Sequence, residues 1–226
     1  MRLNKFIARC GVCSRREADN LIKNQEININ GKLVSDLSYQ VTDSDIVQYQ
    51  NKTLTISPTR LYLLHKPKGY LTSKTDPEDR DTIFKLLPEN LQKLNPIGRL
   101  DLNSEGLLLL TNDGELKRKF ELPENKLARV YKVRIFGKLK ESDKQAIEKG
   151  ITIDHIEYRP AIIKITKESN NSWLEVTLHE GKNREIRRIF EFLGYPVNRL
   201  IRISYDTHHL GDLKPGEIIE IKDSKF

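Results

Sequence analysis

Along the first fifty residues the apolar positions recur at helical spacing and then alternate. In "LNKFIARC", Leu3, Phe6, Ile7 and Cys10 form one apolar helical face, while Arg2, Lys5 and Arg9 share another. "SRREADNLIKN" opens with Ser14 and Glu17 at capping-box spacing, and Ala18, Leu21 and Ile22 supply a second buried stripe. The cap puts Arg15 and Arg16 in the first turn, where positive charge opposes the helix dipole and suggests another use for both side chains. In "QEININGKLV", Ile27 and Ile29 alternate before Asn30-Gly31, a hairpin signal, and "DIVQYQ" reads as a further strand. Helices plus hairpin make a small module of residues 1–55, with 56–60, "ISPTR", as a linker.

From Leu61 onward the pattern becomes strand-rich. "LYLLHKPKGYLTS" reads as a strand, a Pro-Gly turn and a second short strand, and Pro88 breaks "DTIFKLLPENLQKL" into short helical pieces. Leu107 to Leu110 form a short apolar run bounded by turn residues, the mark of a buried strand. "LARVYKVRIFG" sets Tyr131, Val133 and Ile135 against Lys132 and Arg134 with the two-residue period of a strand. "SDKQAIEKG" is a short helix stopped at Gly150, and "SWLEVTLHEG" is another strand. The clearest helix is "NREIRRIFEFLGYP": Ile186, Ile189, Phe190 and Leu193 form its stripe, and Gly194 and Pro196 end it. Arg184, Arg187 and Arg188 lie off that stripe. With "NRLIRISY" and "GEIIEIK" as closing strands and no βαβ rhythm, residues 61–226 form a second domain, and the fold class is α+β.

Charge narrows the partner. A net charge of +7 over 226 residues, with 31% charged and 37% hydrophobic residues, suits a globular chain that meets a polyanion. No apolar stretch is long enough to span a membrane or to act as a signal peptide. The two cysteines, Cys10 and Cys13, lack a second ligand pair for zinc and a βαβ context for redox chemistry, so a structural role in a reducing cytoplasm is expected. Glycine-rich dinucleotide and P-loop signatures are missing, as is a metal-binding H-E-x-x-H.

One stretch resists a purely structural reading. "GRLDLNSEGLLLLTNDG", Gly98 to Gly114, places Arg99 and Asp101 directly before the leucine strand, with glycines on both sides. A loop feeding a strand accounts for the leucines but not for the charged pair. A carboxylate ionised at neutral pH suits a nucleophile or a base and serves badly as a general acid. A retaining glycosidase would pair it with a second carboxyl group, for which Glu105 is the only weak candidate.

These residues also carry a resemblance. "GRLDLNSEGLLLLTNDGEL" is similar to the G-R-L-D motif of the bacterial ribosomal RNA pseudouridine synthases that comprise the type A enzymes of the small ribosomal subunit and the type B enzymes of the large one. "LLHKPKGYLTS" resembles the K-P-x-G motif of that family, "LARVYKVRIFG" its tyrosine-bearing strand and "EGKNREIRRIFEFLGYPVNRLIRI" its basic motif, while residues 1–55 resemble an alpha-L RNA-binding module. The resemblance implies a mixed, largely antiparallel-sheet catalytic domain with flanking helices that isomerises uridine to pseudouridine without cofactor, nucleotide or metal. By the same resemblance Asp101 is the catalytic carboxylate, Tyr131 stacks on the flipped base, and Arg187 pairs with the aspartate. Arg99 helps displace the base, and Lys182, Arg184 and Arg188 meet phosphates, as do Arg2, Lys5, Arg9, Arg15 and Arg16 of the first module. The expected partner is ribosomal RNA or a ribosomal assembly intermediate, met by a monomer. Asn183 to Arg188 without a histidine, "RVYKVRIFG" and "NRLIRISY" look more like the type B, large-ribosomal-subunit enzymes, whereas the short C-terminus is closer to the type A, small-ribosomal-subunit ones. The rival readings are a non-catalytic RNA-binding assembly factor, which leaves Asp101 idle, and a methyltransferase, which the missing glycine-rich loop opposes.

Overall fold

The computed structural model describes residues 1–222, which divide into two compact units. The end of the expected catalytic domain at residue 226 lies outside the described residues. One unit comprises Met1–Arg60 with Lys93–Asn95 and Asn112–Gly114, and the rest of the chain forms the other.

In the first unit, α1 (Leu3–Arg9) buries Leu3 and Ile7, and α2 (Arg15–Lys23) buries Ala18 and Ile22. The start of α2 is fixed reciprocally: the Glu17 amide donates to Ser14 Oγ at 3.3 Å, and the Ser14 amide to Glu17 Oε2 at 2.7 Å. Strands β1 (Ile27–Ile29) and β2 (Lys32–Val34) flank Asn30 and Gly31 at φ 53° and 83°, the left-handed pair that a tight hairpin demands. With β3 (Val47–Tyr49) and β4 (Lys52–Thr53) they give an antiparallel sheet of order β2-β1-β3-β4. Ile27, Ile29, Val41 and Val47 close its core against the two helices. Cys10 and Cys13 are free thiols between α1 and α2, and burial pushes the Cys10 thiol up to about 11, away from reactivity.

The second unit is built on one large sheet. Its elements are β5 (Leu61–Lys66), β6 (Asn95–Ile97), β7 (Glu105–Thr111), α3 (Gly114–Glu121), β8 (Arg129–Ile135) and α4 (Glu141–Lys149). There follow β9 (Ile151–Ile153), β10 (Ile156–Tyr158), β11 (Ile162–Lys167), β12 (Trp173–Leu178) and α5 (Glu185–Phe192). The chain closes with β13 (Val197–Tyr205), β14 (His208–His209) and β15 (Ile218–Ile221). The sheet order is β11-β12-β8-β13-β7-β5-β15, with β14 beside β13 and β6 beside β7. Within the main path only β13 and β7 run parallel.

That order explains the leucine run. β7 lies inside the sheet, flanked by β13 and β5, so Leu107 to Leu110 are all 0% exposed, and a strand covered on both faces has no polar phase. At the single parallel junction Gly106 has φ 105°, and a Cβ there would stand 2.3 Å from the Arg202 carbonyl oxygen, so only glycine fits. α5 buries Ile186, Ile189 and Phe190 as its stripe predicts. Two expectations change. The second strand after the Pro-Gly turn is reduced to a bridge between Leu71 and Thr82. Conversely, β9 and β10 form a hairpin whose turn, Asp154-His155 at φ 49° and 63°, contains no glycine to announce it.

Candidate active site

Asp101 sits on a loop whose backbone is fixed from several directions. Lys66, at the end of β5 and 0% exposed, donates from Nζ to the carbonyls of Pro67, Asp101 and Ser104 at 3.1, 3.0 and 2.8 Å. Burial lowers the Lys66 ammonium to about 8, an effect that nearby Asp101 and Glu105 oppose. Thr72 Oγ1 donates to the Leu100 carbonyl at 2.9 Å and receives the Leu100 amide at 3.2 Å. Gly69 of the Lys-Pro-Lys-Gly segment donates to the Leu102 carbonyl at 2.8 Å, and the Ser104 amide closes a turn onto the Asp101 carbonyl at 3.0 Å. The Asp101 side chain stays 38% exposed. The backbone is thus bound and the carboxylate presented.

A cleft of about 430 Å³ opens beside it. Asp101, Tyr131 of β8, Arg202 of β13, Arg129, Tyr205 and the segment Gly181–Ile186 contribute to its wall. Tyr131 lies on the buried face of β8, directly across from Arg202 on β13 and Val176 on β12. The wall is dominated by cations: Arg99, Lys117, Arg129, Lys182, Arg184 and Arg202 face three acids, Asp101, Glu121 and Glu185. Burial pushes the Glu185 carboxyl up to about 7, with neighbouring Glu180 adding to the rise, so one of those acids is only partly ionised near neutral pH. Among the described residues no group of three His, Cys, Asp or Glu side chains could hold a metal ion, and no helix is long and apolar enough to cross a membrane.

The basic motif is arranged differently from its expected pairing. The ion pair to Asp101 comes from Arg184, whose Nη1 is 3.9 Å from Oδ2. Arg184 caps α5 in the left-handed conformation, φ 51°, which turns its side chain off the helix. Arg187 instead donates from Nη1 to the Val197 carbonyl at 3.0 Å and from Nη2 to the Asn103 carbonyl at 2.8 Å. It holds the aspartate's loop and is not an ion-pair partner within 4 Å. Glu105, the weak candidate for a second carboxylate, is bound by Arg199 at 3.0 and 2.9 Å, which keeps its carboxyl below the usual range.

The other expected RNA contacts divide. Arg99 is exposed on the cleft wall, and Arg188 is exposed on α5 but not part of that wall. Lys182 is drawn to Glu180, Nζ to Oε2 at 3.0 Å, and also meets the Glu157 carbonyl. In the first unit Arg2, Arg15 and Arg16 are exposed and Lys5 half-buried. Arg9 pairs with Asp113 at 2.9 Å and Thr59 Oγ1 at 2.6 Å, so its guanidinium has an internal structural task. Lys66, Glu185 and Arg202 are site residues that the motif reading did not single out.

Fold and site together present a partly exposed carboxylate in a cation-rich cleft, an arrangement that fits a polyanionic substrate. The chain belongs to the RNA pseudouridylate synthase family, whose model matches residues 60–192, while an S4 domain model matches residues 1–47. It is an RNA pseudouridine synthase. It is 47% identical to a Rickettsia felis protein named "Uncharacterized RNA pseudouridine synthase", over 98% of this chain and 97% of the relative. It is 34% identical to "Ribosomal large subunit pseudouridine synthase B" of Bacillus subtilis, over 97% of this chain and 91% of the relative. A crystal structure described as a pseudouridylate synthase superimposes with a TM-score of 0.70 at 29% identity, covering 98% of this chain and 96% of that one.

Proposed function

We propose that the chain converts one uridine of large-subunit ribosomal RNA to pseudouridine, with Asp101 as the catalytic carboxylate and Tyr131 as the stacking partner of the flipped base. The observation that carries the assignment is the Asp101 loop, bound at its backbone by Lys66, Thr72, Gly69 and Arg187 while its carboxylate faces the cleft. The reaction breaks the N1–C1′ bond, turns the uracil and forms the C5–C1′ bond; C5 loses a proton and N1 gains one. Asp101 either attacks C1′ or removes a proton from C2′, and both roles need the carboxylate rather than the acid. Arg184 stands beside it, Nη1 3.9 Å from Oδ2, and Arg187 is a positioning residue that acts through the Asn103 carbonyl. Extruding the base costs a few kcal/mol. Phosphate contacts from Arg99 and Arg188 at the site and from Arg2, Lys5, Arg15 and Arg16 of the module at residues 1–55 offset that cost. The large-subunit target is supported by the histidine-free basic motif and by likeness to the Bacillus subtilis enzyme along nearly the full chain.

Carbodiimide mapping of ribosomal RNA from cells with and without the gene tests the target. One gene-dependent pseudouridine in the large-subunit RNA is expected, and one confined to small-subunit RNA overturns that part of the reading. Asp101→Asn is expected to lower single-turnover isomerisation by about a thousandfold or more, with RNA affinity within roughly twofold of wild type. Retained turnover in a clean preparation removes Asp101 from the chemistry.

A further inference from the structure

Arg202 stands out because a buried cation has been left without a counterion. It is 2% exposed, yet it contributes to the wall of the cleft. Its Nε donates to the Leu107 carbonyl at 2.7 Å. Its Nη2 is buried with no hydrogen-bond partner. A ring and a second cation crowd one side: the guanidinium lies 5.0 Å from the Tyr205 ring centroid, and that of Arg129 lies 4.7 Å from the same centroid. Lys66 is close enough for the two charges to repel, which helps lower the Lys66 ammonium. Among the described residues no carboxylate forms an ion pair with Arg202 or Arg129. A guanidinium withdrawn from water without a partner is expensive, and proteins retain one where a ligand completes it.

We infer that Arg202 reads the base itself, by donating an Nη–H to a carbonyl oxygen of the flipped uracil. This rests on Tyr131 as the stacking residue, and three further observations favour it. Arg202 is the residue directly opposite Tyr131 across the β8–β13 ladder, and both line the same cleft. The guanidinium is fixed at Nε alone, which lets its plane tilt about the Leu107 bond and bring an Nη–H to an incoming acceptor. Arginine has five donors and no acceptor, so it accepts the C4 carbonyl of uracil and rejects the C4 amino group of cytosine. A phosphate would seek the exposed rim, where Arg99 and Arg184 lie, rather than a residue this deep.

The test uses the full chain and a hairpin transcript containing whichever uridine the mapping identifies, so it does not depend on which ribosomal RNA carries the target. The target position carries uridine or 4-thiouridine, whose sulfur is a poor acceptor. Wild type is expected to react with 4-thiouridine about tenfold more slowly than with uridine in single turnover. Arg202→Met is expected to be slower on uridine by about tenfold to a hundredfold and indifferent to the thio substitution, with RNA affinity and its salt dependence unchanged. Arg202→Lys should restore part of both the rate and the thio sensitivity. Equal sulfur sensitivity in wild type and variant overturns the inference. So does a loss confined to RNA affinity with a flatter salt slope, which would make Arg202 a phosphate contact. If the methionine variant does not fold, wild type that ignores the sulfur overturns the inference by itself. Failure of Asp101→Asn to abolish turnover would strike the site assignment instead, and the two outcomes are read separately.

Discussion

The two loops that border the cleft are held by different forces. The loop from Gly98 to Ser104 is tied through backbone amides and carbonyls by Lys66, Thr72, Gly69, Glu121 and Arg187, so its shape depends on hydrogen bonds that are local and directional. The loop from Glu180 to Glu185 is held by charge. Glu180 pairs with Lys182 at 3.0 Å and accepts the Arg159 amide at 2.7 Å, and Glu185 accepts the Lys182 amide at 2.9 Å while its Oε1 is buried and unpartnered. One side of the cleft places the Asp101 carboxylate, and the other sets the charge around it. Damage to the first should therefore appear in the chemical step, and damage to the second in pH dependence.

Lys66→Met gives the strongest test of that division. It removes three hydrogen bonds to the carbonyls of Pro67, Asp101 and Ser104 while preserving the bulk of the side chain. The Asp101 carbonyl keeps the Ser104 amide, while leaving the Pro67 and Ser104 carbonyls without the ammonium costs about 1–3 kcal/mol each at most, so the expected loss of stability is about 2–4 kcal/mol in total. The rate of the chemical step is expected to fall by about tenfold to a hundredfold, because a small misplacement of a reacting group is costly, with RNA affinity retained. Chemical denaturation and single-turnover kinetics read the two effects. An active variant with wild-type rate would show that the Asp101 loop holds its shape without the ammonium.

The two arginines of the basic motif sharpen the contrast. Arg184→Gln deletes the cation 3.9 Å from Asp101, and because both groups are partly exposed the stability change should stay below about 0.5 kcal/mol. Its effect should instead be a roughly fivefold to twentyfold lower rate of the chemical step at unchanged stability, since the cation beside the Asp101 carboxylate is gone. Arg187→Gln should lower both rate and stability, because Arg187 bridges Asn103 and Val197 by its guanidinium. The opposite assignment of the two phenotypes would restore Arg187 as the aspartate's partner.

Why these two are interchangeable in the sequence is a matter of geometry. Helical periodicity places both off the apolar stripe, but periodicity holds only inside the helix, and Arg184 is the cap at φ 51°. Its direction is set by a left-handed residue that no spacing rule reports. Lys66 opens the Lys-Pro-x-Gly motif, but its task stays hidden because lysines are rarely fully buried and two of its partners lie 35 and 38 residues away along the chain. Arg202 is hidden too: Ile201, Ile203 and Tyr205 alternate in the other phase of β13, and only the structure shows that Leu200, Arg202 and Ser204 are buried. The strand leucines, the α5 stripe, the capping box and the Asn-Gly hairpin are readable, since each depends on neighbours within about eight positions. The internal task of Arg9 is hidden for the reason that hides Lys66: its partner Asp113 is remote in sequence.

The smallest effect, and the one that tests the charge-held loop directly, comes from Glu185→Gln. In the folded chain burial and the nearby Glu180 push the Glu185 carboxyl up from 4.5 to about 7, while the Arg159 amide and Lys182 keep Glu180 below its ordinary value. The proton of this acidic pair therefore resides on Glu185. Between about pH 4.5 and 7 the folded chain holds a proton that the unfolded chain has released, so the stability from neutral Glu185 is complete below pH 4.5 and is lost as pH rises to 7. Glutamine is neutral at every pH, and its amide oxygen can still accept the Lys182 amide. The variant should match wild type at pH 4.5 and exceed it at pH 8. Denaturation midpoints measured across that range check the sign. A wild-type curve and a variant curve that stay parallel from pH 4.5 to 8 would mean that Glu185 ionises in the folded chain as it does in the unfolded one.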